Sequence, residues 1–188
     1  MNGLVPLTLT AARKSLPGVS VTAAMLFAVA SAFGQSAPHV HGTGTLNLAI
    51  EGNTLILELV APASDIVGFE HPPASSNDRQ AVLNAAQTLK DGELLFRLPN
   101  EAGCDLKEAE VETGLLQGDD HSHSEPDEDH AEFHAHYRFQ CSDPDELHYI
   151  DVDYFSKFPN AHELETRTIT PAGQNAAELT PHASRLKL

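Results

Sequence analysis

Basic residues are scarce in this 188-residue chain, where 11 Lys and Arg stand against 27 Asp and Glu for a formal charge of −16. So acidic a balance repels a phosphate backbone, which excludes nucleic-acid recognition as the main role and favours attraction of cations. Cysteine is scarcer still: the only two, Cys104 and Cys141, have no C-x-x-C spacing. Apolar runs are short. The longest, Val19 to Ala32, covers about 14 residues, fewer than the ~20 needed to cross a bilayer as a helix, and nothing comparable follows. Stable membrane insertion is therefore not expected, and no internal repeat is visible.

Residues 1–32 have the layout of a secretory signal peptide, with Arg13 and Lys14 at the positive end, the apolar run, and Ala30-Ser31-Ala32 as an A-x-A cleavage site. No cysteine stands at that site, so a bacterial lipid anchor is not expected. Cleavage leaves residues 33–188, about 156 residues and the length of one ordinary domain, with nine Lys and Arg against 27 acids and a formal charge of −18. In an exported protein an even pair of cysteines is more often a disulfide than a reactive site. A Cys104–Cys141 bridge closes a loop of about 38 residues and stabilises the fold by about 4 kcal/mol in the chain-entropy account. A thiolate zinc site is the rival reading, weakened by the missing C-x-x-C spacing.

The loop so closed holds the most informative stretch of the chain. Gln117 to His136 contains five histidines and seven carboxylates in twenty residues, with no Lys or Arg. Carboxylates alone describe a solvated loop, but histidine adds little solubility, and neutral imidazoles beside anionic oxygens form a donor set for a borderline divalent cation, zinc first.

Periodicity points to an α+β fold, a mostly antiparallel sheet with one main helix and a long disordered His/Asp/Glu-rich loop. Thr45, Asn47 and Ala49 alternate with Leu46, Leu48 and Ile50, and Glu51-Gly52-Asn53 then turns the chain into Thr54 to Val60, a hairpin pattern. Arg79 to Leu89 places Val82, Leu83, Ala86 and Leu89 at helical spacing, with an N-cap expected at Ser76 or Asn77 and a stop at Asp91-Gly92. Leu94 to Leu98 is extended or briefly helical. Cys104 to Thr113 is a strand entering the His-rich loop, and Phe133 to Cys141 leaves it with His134, His136, Arg138 and Gln140 on one face and Phe133, Ala135, Tyr137 and Phe139 on the other. Leu147 to Val152 forms a further strand, Tyr154 to Phe158 a turn with aromatic anchors, and Glu163 to Leu179 a closing hairpin about Pro171 to Gln174. The expected organisation is a single zinc-binding domain over residues 33–188 with a mobile His-rich loop at 117–132.

Two H-x-H pairs are candidates: His134 with His136 on the alternating segment, where both rings project from one face, and His39 with His41, which share a face if the first strand begins there and are otherwise two solvated imidazoles at a frayed terminus. A rigid strand is the better platform for ligands, because precision comes from scaffold elements. His121, His123 and His130 sit among Ser, Asp and Glu with no apolar residue to order them, and are expected to capture ions by ordering around them. His71, beside Glu70, is either a ligand or a hydrogen-bonded turn residue, while His162 is a distant contributor to a site. His148 reads as a core-edge residue, and His182 has no assigned role.

These motifs resemble the ZrgA-like family of periplasmic His-rich zinc-uptake proteins. The likeness runs through most of the mature chain: His39-Val-His41-Gly42 leading into Leu46 to Gly52, then Pro62-Ala63-x-Asp65-Ile-Val-Gly68-Phe69-Glu70-His71, the His-rich insert, and Pro171-Ala-Gly-Gln174. It implies a protein of the Gram-negative periplasm that binds Zn²⁺ and assists high-affinity uptake beside an ABC-type metal importer, with His39, His41 and His71 as candidate ligands. The expected metal-binding set is His39, His41, Glu70, His71, His121, His123, His130, His134, His136 and His162, without catalysis.

Two rival classes remain. A metal hydrolase wants H-x-H-x-D-H, but His121-Ser-His123-Ser is followed by Glu125-Pro126, and a copper-zinc dismutase needs a fuller ligand set than the first pair supplies. The other is a metal-independent acidic interaction domain whose loop recruits a basic partner.

Overall fold

A computed structural model describes residues 42–116 and 131–188. The alternating segment folds as expected into β1 (Thr43–Glu51) and β2 (Thr54–Pro62), an antiparallel pair joined at Gly52-Asn53. The inward Leu46, Leu48, Leu55, Leu57 and Leu59 are each at most 3% exposed. β2 runs into the short helix α1 (Ala63–Val67), and a loop leads to the main helix, α2 (Ser76–Lys90).

The cap of α2 lies one residue before the expected position. Ser75 is the N-cap: its hydroxyl accepts the Asp78 N–H at 3.1 Å, and the Asp78 carboxylate accepts the Ser75 N–H at 2.9 Å. Asp replaces the usual Glu or Gln of this reciprocal box, which hides it in the sequence. Ser75→Ala is expected to cost about 1 kcal/mol in a urea unfolding series, with the m-value unchanged. The helix buries Val82, Ala85 and Leu89 and leaves Leu83 exposed, because Leu83 falls outside the stripe that meets the sheet.

The segment after α2 is both helical and extended, α3 (Gly92–Leu95) followed by β3 (Phe96–Arg97). Then come β4 (Cys104–Thr113) and β5 (Glu132–Cys141), antiparallel partners whose first and last residues, Cys104 and Cys141, are in register and disulfide-bonded. Glu132 therefore belongs to β5 and is only 4% exposed, which moves the end of the His-rich insert back from residue 132. β5 keeps the faces read from its alternation, with Phe133, Ala135, Tyr137 and Phe139 all buried. Tyr137 donates its hydroxyl to the Leu89 carbonyl at 2.7 Å, satisfying an acceptor near the end of α2. Gly92 permits this approach, since a Cβ there would stand 2.7 Å from Cδ1 of Tyr137.

β6 (Tyr149–Val152) is followed by a helical turn, α4 (Tyr154–Lys157), then by β7 (Glu163–Thr170), β8 (Gly173–Leu179) and β9 (Arg185–Lys187). The main sheet has the order β4-β5-β2-β1-β7-β8, and β3-β6-β9 form a second, smaller one. Among the described residues all pairings are antiparallel except β1 with β7, a parallel contact that no local pattern announces. It brings His162, just before β7, to the root of β1.

Candidate metal centre

Gly42 is held from three directions. Its N–H donates to Oδ1 of Asp65 at 2.8 Å, and its carbonyl accepts the N–H groups of His162 at 2.9 Å and Glu163 at 2.8 Å. Asp65 stands in the first turn of α1 and is 2% exposed. The backbone of Gly42 has φ +88°, and a Cβ would lie 2.9 Å from Cδ2 of His162, so both conformation and space call for glycine. The exposed His162 ring thus rests against the residue that follows His39-Val-His41 in the chain. His39 and His41 themselves lie outside the described residues.

On the near side of the same region, Asn160 donates to the Ser64 carbonyl at 3.3 Å, tying the loop that carries His162 to α1. His71 stacks on Phe69 with ring centroids 4.9 Å apart and is exposed. Its Nδ1 stands 3.0 Å from the Pro72 carbonyl. A carbonyl only accepts, so Nδ1 carries the proton and Nε2 keeps the lone pair that a metal needs. The ligand and turn-residue readings of His71 are therefore compatible. Glu70 is half-buried beside it.

His134 and His136 form a second cluster on the open face of the main sheet. Across the strands, His136 is paired with Glu58 on one side and Glu110 on the other, while His134 faces Glu112. These residues line a depression of about 370 Å³. The buried Glu132 accepts from Nε2 of His134 at 3.1 Å, which fixes the orientation of that ring on the strand. One strand turn further on, Arg138 pairs with Glu108, and this contact holds the Glu108 carboxyl below the ordinary carboxylate range. Glu58, Glu110 and Glu112 are absent from the sequence-derived ligand set because cross-strand register, not local spacing, places them there.

Among the described residues no three His, Cys, Asp or Glu side chains stand close enough to hold one metal ion. His121, His123 and His130 of the expected set lie outside the described residues. His148 is not a core-edge residue: its side chain is 69% exposed, with Nε2 3.6 Å from Glu146. The strand it precedes begins only at Tyr149, so its ring stays in solvent.

Compared with known protein families, residues 38–188 match the family described as ZrgA family zinc uptake protein. This chain belongs to the ZrgA family. The match begins one residue before His39 and runs to the last residue, spanning both histidine clusters and the His-rich insert of this family member. The resemblance carried by His39-Val-His41-Gly42 and the Gly68 to His71 run was therefore correct, and it connects the chain with zinc uptake. No match was found among curated proteins. Among the described residues of this ZrgA-family chain, no helix is long and apolar enough to cross a membrane.

Proposed function

We propose that this chain is a periplasmic zinc carrier: it captures Zn²⁺ after export and presents it to a high-affinity importer of the ABC type. The observation that carries this reading is the clamp at Gly42, which sets His162 beside the residue bonded to His41. His39, His41 and His162 then supply imidazoles from two segments far apart in the chain, an arrangement that requires the folded state, with His71 and Glu70 as nearby candidates for the remaining positions. Three neutral imidazoles and one further oxygen or nitrogen satisfy tetrahedral zinc. His134 and His136 form a second, more open station, and His121, His123 and His130 with their carboxylates act as a weaker antenna that raises the local ion concentration. Residues 33–188 act as a single domain in this scheme, and residues 1–32 as the export signal.

Zinc competes with protons for imidazole. At an ordinary histidine pKa of about 6.5, roughly one ring in ten is neutral at pH 5.5 against nine in ten at pH 7.5. A site needing three neutral rings is then weakened roughly 10³-fold. Calorimetric titration with Zn²⁺ at both values tests this. A change below about threefold would exclude a histidine-dominated site, because carboxylates are ionised throughout that range. An enzyme of the dismutase or hydrolase class would instead show superoxide removal or hydrolysis when loaded with copper or zinc.

A further inference from the structure

The Pro171 to Gln174 run, which zinc capture leaves without a role, turns the chain into the least protected strand of the fold. β8 ends the main sheet, and its outer edge has no strand partner among the described residues. Six of its seven residues, Gly173 to Glu178, are exposed, so the core covers neither of its faces. The other edges are guarded in ways that block strand addition. β4 carries Asp105, Lys107, Glu108, Glu110 and Glu112, with a register irregularity between Leu106 and Glu108. β3 and β9, at the margins of the smaller sheet, have only two and three residues. β8 has no proline, no lysine and a single charge, on Glu178. Its hydrogen-bonding direction is set by β7: the hydroxyls of Thr166, Thr168 and Thr170 donate to the carbonyls of Ala177, Asn175 and Gly173 at 2.8, 3.4 and 3.3 Å. Those three carbonyls face β7, so in an extended strand the N–H and C=O groups of Gln174, Ala176 and Glu178 face the open edge.

We infer that β8 is a self-pairing edge: two copies of this chain join through it, antiparallel, about a two-fold axis at Ala176, and their main sheets become one. Ala176 is the middle of the seven residues, so complete overlap sets it opposite its counterpart and sets Gln174 opposite Glu178 on either side. These are the residues whose backbone groups face outward, and each such pair exchanges both hydrogen bonds. Charge favours a second copy as the occupant. No like charges face each other across the seam, because Glu178 meets the neutral Gln174, whose amide donates to it. Arg167, the β7 neighbour of Ala176, adds positive charge beside the seam on the same face. An axis normal to the sheet keeps both open faces, each with its His134 and His136, on one side of the dimer. The net charge of the chain opposes approach at long range and the contact is one strand pair, so the dimer is weak and depends on concentration.

Sedimentation equilibrium of residues 33–188 between about 5 and 500 µM, with a chelator present, is expected to show the mass rising from one chain toward two. A constant single-chain mass overturns the inference, and so does a dimer that appears only when zinc is added, since metal would then bridge the copies. This first result needs no variant. Two lysine substitutions at exposed positions of one face then separate this seam from any other contact. Each lowers the net negative charge, so general repulsion falls in both. Ala176→Lys sets two ammonium groups opposite each other on the axis and is expected to weaken the dimer at least about fivefold. Gln174→Lys faces Glu178 at both ends of the seam and is expected to tighten it about three- to tenfold. Opposite signs two residues apart support the pairing. Effects of the same sign, or no effect from either, place the contact elsewhere and overturn the inference.

Discussion

Replacing residues 117–130 by a short Gly-Ser linker is expected to remove about two equivalents of bound zinc while leaving the melting temperature of the metal-free protein nearly unchanged. The stretch carries three histidines and six carboxylates, and at about four ligands per ion nine donors suffice for about two sites. The fold tolerates the change because the insert joins two strands already paired: Thr113 at the end of β4 is in register with Phe133 near the start of β5, so a short linker spans the gap. The replacement must stop before Glu132, since that residue is buried in β5 and contacts His134. Elemental analysis of dialysed protein and a chelator-competition titration read the result. Unchanged zinc content would make the insert a docking loop for a basic partner instead of an ion reservoir.

Loss of the Cys104–Cys141 bridge is the second large effect. A disulfide closing about 38 residues restricts the unfolded chain by about 4 kcal/mol in the chain-entropy account. At about 2–4 °C per kcal/mol for a domain of this size, the double variant Cys104→Ser with Cys141→Ser is expected to melt about 8–16 °C lower. Its zinc content should not change, because both sulfurs are committed to the bond. Scanning calorimetry with and without zinc checks both halves. A loss of one zinc equivalent in the variant would revive the thiolate site, and an unchanged melting temperature would mean that pairing of β4 with β5 already restricts the unfolded chain.

The readable parts of the fold were those governed by short-range physics. Strict alternation identified β1 and β5, since a period of two separates the leucine and aromatic face from the polar one whatever the strand's neighbours are, and the turn at Gly52-Asn53 identified β2 as the partner of β1. The same alternation placed His134 and His136 together on the polar face. Local pattern misled where an unusual residue filled a familiar role, as Asp78 does in the cap of α2, and where burial was inferred from one apolar neighbour, as at His148. It was silent on β9 and on the parallel pairing of β1 with β7, because neither has a signature within its own few residues.

What the sequence determined alone is the chemistry: an acidic chain, an even pair of cysteines, two H-x-H pairs, a His-rich insert, and motifs sufficient to recognise a zinc-uptake family. These depend on composition and on spacing along the chain, and both survive unfolding. What the tertiary structure decided is which of those groups meet. The β1–β7 pairing carries His162 to Gly42, Asp65 reaches the same residue from α1, and register across β2, β5 and β4 sets Glu58, Glu110 and Glu112 around the second histidine pair. Such meetings are set by the burial of leucine and aromatic faces on the opposite side of the same strands. The hydrophobic core chooses the strand order, and the strand order chooses the neighbours of each imidazole.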